Sequence, residues 1–254
     1  MNLSMSKKKE TLDEIEKFLN DGYVVFKNIV PQDLFDNFNH EIDSIVGSKI
    51  SFQEIFKISS RERIYALLQN LCSVRKIANF VENFLDNKKI FTHLGFKCKS
   101  TTNGLIISIP NEEKTLNPLH QDIYAYHSSN FVKLWIPMTK VNKFKGSMQM
   151  FKGSHKLGFI EPKYKDNKST YPEINHSFVE KLPGEILDLS IGSFVLFNPL
   201  VIHQSIGNMS KNVRFTIGVD IQDVKFDEDE SLLNRMSAVK KERSNRRSKI
   251  LNAK

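Results

Sequence analysis

The chain has 254 residues, 40% of them hydrophobic and 26% charged, which is ordinary for a soluble globular protein able to bury one large core. No apolar run approaches the length of a membrane span, and two cysteines, Cys72 and Cys98, are too few and too far apart to form a disulfide framework. Of the net charge of +8, eight Lys or Arg and the single acid Glu242 in residues 235–254 supply +7, so the rest of the chain is almost neutral and has no general attraction for nucleic acid or a membrane surface.

The N-terminal MNLSMSKKKETLDE turns polar where a secretory signal would turn apolar, which gives the expectation of a cytoplasmic protein. LDEIEKFLNDG (12–22) has apolar residues at helical spacing and stops at Gly22. GYVVFKNIV (22–30) is β-prone and ends at Pro31, which opens a second helix running to about Val46. Arg61–Leu71 and Ser73–Leu85 read as two more amphipathic helices. From Lys89 the pattern changes to short β-prone runs, with strands predicted near 90–98, 104–109, 132–138, 147–151, 194–197 and 213–221. Helices followed by strands imply an α+β fold with a helical flank on a β-sandwich. Residues 161–182 are polar and irregular, and read either as an active-site cover or as a variable surface excursion. The organisation predicted is one domain over 1–234 and a basic tail over 235–254. That tail reads as a solvated, partly disordered end, or as a weak contact for an acidic partner.

Two segments carry chemistry. In His120-Gln121-Asp122 an imidazole and a carboxylate stand two apart, and on a strand residues i and i+2 share a face. Alone the pair is a weak motif, since short matches arise by chance. The second segment is VLFNPLVIHQSIGNMSKNVRFTIGV (195–219). There His203 ends an apolar run, Ser205 follows two residues later, and Arg214 interrupts an apolar strand. Two imidazoles and a carboxylate form a facial triad that leaves adjacent coordination positions open. An arginine buried in a strand needs an anion, and its planar fork suits a carboxylate. Alternation puts Arg214 and Thr216 on one face and Val213, Phe215 and Ile217 on the other, so an outward-pointing Arg214 on an edge strand is an open alternative.

With HQD (120–122), LWIPMTKV (134–141), GSMQMFKGSHKLG (146–158) and FNPLVIHQSIGNMSKNVRFT (197–216) taken in order, the chain resembles the phytanoyl-CoA dioxygenase family from about Leu12 to Ile221. The resemblance implies a double-stranded β-helix, a cupin-like jelly roll flanked by N-terminal helices. It implies that His120, Asp122 and His203 hold Fe(II). It gives Arg214, assisted by Ser205, the distal carboxylate of 2-oxoglutarate, and Thr216, on the same strand as Arg214, could add a further hydroxyl donor. Trp135 falls where the family has an indole reaching that co-substrate, although it also reads as an ordinary core residue. His155 in the Gly153-Ser154-His155 turn reads as structural. Halogenating relatives carry a small residue where Asp122 stands, so the carboxylate implies hydroxylation. With dioxygen as second co-substrate, the implied reaction hydroxylates a C–H bond of a small metabolite or sugar-linked intermediate and releases succinate and CO2. Substrate-lining candidates are Tyr124, Tyr126, His127, Met148 and Met150, each of which reads equally as core or loop. A small-molecule partner is expected and a nucleic acid is not. The competing readings are a cupin-like isomerase or lyase, which needs no arginine clamp, and a non-catalytic binding module on the same fold.

Overall fold

The computed structural model describes residues 2–46, 68, 71–111, 117–125, 130–166, 169, 171–225 and 229–252. The predicted helix over Arg61–Leu71 and the candidates Tyr126 and His127 lie outside these, apart from the single positions Leu68 and Leu71.

Among the described residues four helices precede most of the strands: α1 (Asn2–Asp21), α2 (Gln32–Val46), α3 (Cys72–Asn87) and the single turn α4 (Ile90–His93), with strand β1 (Tyr23–Phe26) between the first two. The strands that follow are β2 (Lys99–Ser108), β3 (Phe131–Pro137), β4 (Met148–Phe151), β5 (Gly184–Ile186), β6 (Phe194–Phe197), β7 (His203–Ser205) and β8 (Arg214–Asp223). Helix α5 (Glu230–Asn252) closes the described chain. The strands form two antiparallel sheets, β1-β6-β3-β8-β2 and β5-β4-β7, the two faces of a jelly roll. Among the described residues no helix is long and apolar enough to cross a membrane. Both cysteines are free thiols.

The central strands β3, β6 and β8 of the large sheet are buried on both sides, and strict alternation divides their side chains. Val132, Leu134 and Ile136 of β3, Phe215, Ile217, Val219 and Ile221 of β8, and Phe194 and Leu196 of β6 turn to the helices. There they meet Ile15 and Phe18 of α1, Phe35, Phe38 and Ile42 of α2, and the buried stripe Val74, Ile77, Ala78, Val81 and Leu85 of α3. Each such side chain contributes about 1.5–3 kcal/mol when fully buried, so this layer is the main source of stability. The residues between turn to the space between the sheets, where Trp135, Val195 and Phe197 face Met148 and Met150 of β4.

Two expectations fail. The strand predicted near 90–98 is instead the turn α4 followed by loop, and β2 begins only at Lys99. Lys89 adopts a left-handed conformation (φ 59°), starting a helical turn that buries Ile90 and Phe91 beneath α3. A short apolar run cannot by periodicity tell a strand from such a turn. The tail expected to be partly disordered is instead most of helix α5, largely exposed but with Met236 and Val239 buried in the cluster around Ile123 and Tyr124. Charge run-counting hid a stripe of apolar residues at three- and four-residue spacing, Leu232, Leu233, Met236 and Val239.

Candidate metal centre

The two imidazoles face each other because their backbones pair. His120 and His203 form an isolated antiparallel bridge, each N–H donating to the other's carbonyl at 2.9 and 3.0 Å. This extends the small sheet by one residue beyond β7 and sets the rings 4.2 Å apart. Each Nδ1 lies against the carbonyl two residues earlier, His120 on Pro118 (2.7 Å) and His203 on Val201 (2.9 Å). A carbonyl can only accept, so each Nδ1 carries the proton and each Nε2 keeps its lone pair for the shared space.

Asp122 reaches that space by a route the sequence reading did not foresee. His120 lies in the bridge, but Asp122 starts a one-turn 3-10 helix, Asp122–Ala125, so the pair does not share a strand. The segment is aimed by Gln121, which is 1% exposed. Its Nε2 donates to the carbonyls of Gly158 and Leu200, both at 2.8 Å, and its Oε1 accepts from Ile160 N–H at 3.1 Å. The Asp122 N–H donates to Pro199 O at 3.0 Å. As a result Asp122 Oδ1 lies 3.3 Å from His120 Nε2, and Oδ2 lies 3.6 Å from His203 Nε2.

The three donor groups lie within 4.8 Å of one another. An ion about 2.1 Å from each donor requires spacings of roughly 3–4 Å, which the two measured distances meet. His120 Nε2 is buried without a hydrogen bond, a loss that a metal would make good. The protonation states suit one too. Burial, then the neighbouring His120, push the His203 imidazole down to about 4, so it is neutral at ordinary pH. Burial alone would raise the Asp122 carboxyl, but Lys133, His203 and His120 reverse this and hold it well below the usual carboxylate range. The donor set therefore fits Fe(II).

Two residues beside the centre were absent from the sequence reading. Lys133 projects inward from β3, with Nζ 3.2 Å from Asp122 Oδ2 and 3.1 Å from Asp220 Oδ1 on the neighbouring β8. Tyr171, from the irregular segment 161–182, sets its ring edge-on to His120 with centroids 5.0 Å apart. In the same segment Ile174 N–H donates to Leu119 O at 2.7 Å, next to His120 in the chain. Neither residue has a motif of its own. Period-2 alternation could have put Lys133 on the face of Trp135, but nothing local marks Tyr171.

Arg214 points inward. It is 7% exposed on the polar face of β8, and its Nη1 donates to Thr216 Oγ1 at 2.8 Å. Trp135 stands 5.7 Å from its guanidinium, and the cluster holding Trp135 also holds Phe197, whose ring lies 5.2 Å from His203. Behind Arg214, Gly146 (φ +64°) leaves the space a side chain would fill, since a Cβ there would stand 3.2 Å from Arg214 Nε and 3.5 Å from Ser108 Oγ. Ser108 pairs directly with Arg214 and its buried hydroxyl has no hydrogen bond, a third residue the sequence reading missed. Ser205 is half-buried at the end of β7, opposite Met148. Met148 and Met150 are buried between the sheets, and Tyr124 is a core residue donating to Ile160 O at 2.6 Å. His155 ties the turn 154–157 to α1 through Leu19 O at 3.1 Å.

The chemistry that needs both a three-donor iron site and a fixed cation for a diacid is that of the iron- and 2-oxoglutarate-dependent oxygenases, and this protein is of that class. Residues 18–216 match the family described as Phytanoyl-CoA dioxygenase (PhyH), and the chain belongs to that family. The peroxisomal phytanoyl-CoA dioxygenase of Mus musculus is 23% identical over 229 residues, covering 82% of this chain and 67% of the relative. Among solved structures, the non-heme monooxygenase ThoJ superposes with a TM-score of 0.60 at 16% identity, covering 95% of this chain and all of that one. The epimerase SnoN, solved with Fe3+, alpha ketoglutarate and nogalamycin RO, gives a TM-score of 0.55 at 14% identity, covering 85% of this chain and 84% of that one.

Proposed function

We propose that the chain is a hydroxylase of a small metabolite, with His120, Asp122 and His203 as iron ligands and Arg214 as the anchor for 2-oxoglutarate. The observation that carries this is the convergence of three donors from two distant segments beside a guanidinium buried on the same side of the large sheet. Bound iron supplies the activation of dioxygen that amino-acid side chains lack.

The protein's own residues do the rest. The two Nδ1–H to carbonyl hydrogen bonds fix the imidazole tautomers before any metal arrives. Lys133, held by Asp220, orients Asp122 and keeps it ionised. Arg214 offers a planar donor pair to a carboxylate, with Thr216 and Ser108 as hydroxyls beside it. Trp135 forms the wall between this cation and the metal ligands. Tyr171 sets its ring edge-on against His120 and forms one wall of the site. Such a clamp has no use in a metalloprotein of this fold that takes no 2-oxoglutarate, which favours the oxygenase reading over a simple cupin-like isomerase or lyase. SnoN, which acts with the same co-substrate on a small molecule, supports the substrate size.

Anaerobic mixing of the protein with Fe(II) and 2-oxoglutarate should give a weak visible charge-transfer band, and aerobic turnover should release succinate. A protein that binds both and shows no band overturns the assignment.

A further inference from the structure

Helix α5 changes character along a single face. Its inward stripe begins with Leu232, Leu233, Met236 and Val239, which pack with Leu119, Ile123 and Tyr124 around the metal-ligand segment. The same stripe then continues at three- and four-residue spacing as Lys240, Arg243 and Arg246, all partly buried. The apolar half docks the helix, and the cationic half is thereby carried over Tyr164, Asp166 and Tyr171.

The cations there are used unequally. Arg246 is committed: its Nε donates to Glu242 at 2.6 Å, its Nη1 to Asp166 O at 3.0 Å, and it stacks on Tyr164. Arg235, further back, pairs with Glu161 at 2.8 Å. Arg243 stacks 4.3 Å from the ring of Tyr171, and that same ring stands edge-on to His120. One aromatic ring thus separates the Arg243 guanidinium from a metal ligand. Among the described residues no carboxylate lies within ion-pair distance of Arg243, and its Nε is buried without a hydrogen bond. A guanidinium has five donors and no way to discard its charge, so a buried donor without an acceptor calls for a ligand.

We propose that Arg243 is a substrate-recognition residue, and that it binds the carboxylate or phosphate group of a small acidic substrate whose C–H bond is thereby placed over the metal centre. The planar fork meets either oxyanion with two parallel hydrogen bonds. Tyr171 holds the fork flat from below and offers the apolar body of the substrate a ring to lie against. The near-neutral body then needs no wider positive surface, because the charge that selects the substrate sits on one helix face. This inference rests on the oxygenase reading above.

The test uses the full chain loaded with Fe(II) and 2-oxoglutarate. Succinate release is screened over matched pairs: aliphatic and aromatic carboxylates against their amides, and sugar phosphates against the free sugars. Where no member turns over, calorimetric binding of the same pairs to the loaded protein reads the same preference. The acidic member should be favoured, and the two arms separate carboxylate from phosphate. Arg243→Gln should raise KM for the preferred acid roughly ten-fold or more while kcat changes much less, as expected for loss of a charge-assisted contact that binds without taking part in the chemistry. Its acid-to-neutral preference should fall by the same factor, with KM for 2-oxoglutarate and the charge-transfer band unchanged. Lys241→Gln, on the exposed side of the same helix, removes the same charge and should change none of these. Equal use of acidic and neutral members, or equal effects of the two substitutions, overturns the proposal. A wild-type protein with no charge-transfer band overturns the oxygenase reading and this inference with it, whereas a normal band without acid preference overturns this inference alone.

Discussion

Along β8, Phe215, Ile217 and Val219 lie against the helices, while Arg214, Thr216 and Asp220 turn into the space between the sheets. The first set is apolar volume, replaceable by any side chain of like size and shape. The second holds a buried cation and a buried carboxylate, which cost stability unless partners meet them. One strand therefore carries both the layer that holds the protein together and the layer that acts. The difference teaches that stability and activity can be perturbed separately by moving one residue along the chain.

The largest expected effect falls on the inner side. Asp122→Ala removes a metal donor, and should lower Fe(II) affinity and succinate release by more than about 100-fold, the upper range for loss of a mere supporting residue. Calorimetric Fe(II) titration alongside a thermal melt checks this, and a protein that also unfolds would erase the contrast between the faces. On the outer side, Ile217→Ala should cost roughly 2–5 kcal/mol in denaturant unfolding, because Ile217 is fully buried and its cavity cannot collapse between β3 and α3. The folded fraction should keep its KM for 2-oxoglutarate.

Arg214→Met should raise that KM about 10- to 100-fold, the worth of a charge-assisted hydrogen-bond pair of roughly 1.5–3 kcal/mol. Its melting temperature should hold or rise, since an apolar side chain replaces a buried charge. A large fall in stability would show that Arg214 belongs to the outer layer's work as well. The smallest effect is a pH response confined to the inner layer. The folded His203 imidazole titrates at about 4 against an ordinary 6.5, so the unfolded chain takes up its proton first. Metal-free protein should be fully stable above pH 6.5 in this respect and lose stability as pH falls from there toward 4. The depressed Asp122 adds its own loss only lower, as pH falls below the ordinary carboxylate value of 3.8. His203→Gln should flatten the upper window in melts taken across pH, whereas Ile217→Ala should leave its shape unchanged.

The candidate metal triad was legible because its residue types are scarce and their flanks distinctive: HQD, then a histidine closing an apolar run, then an arginine within a strand. What the motif could not supply was the geometry that makes it work. Spacing suggested a shared strand for His120 and Asp122, yet the actual device is a bridge with His203 and a turn aimed by Gln121, whose partners Gly158, Ile160 and Leu200 lie far along the chain. Alternation split β8 into two faces but left open which one was inside. That answer came from the helices, which cover the apolar face and leave Arg214 between the sheets.

The sequence by itself determined the helical flank, most strands, the family and the identity of the candidate ligands, because each is written in local periodicity or in short runs of uncommon residues. Only the tertiary structure decided that Lys133 meets Asp122, that Ser108 lies beside Arg214, that Tyr171 stands edge-on to His120, and that a basic C-terminal segment is a docked helix setting Arg243 over the Tyr171 ring. These contacts join residues up to about a hundred positions apart. Their formation depends on how whole layers pack, for which no short stretch of sequence carries a signal.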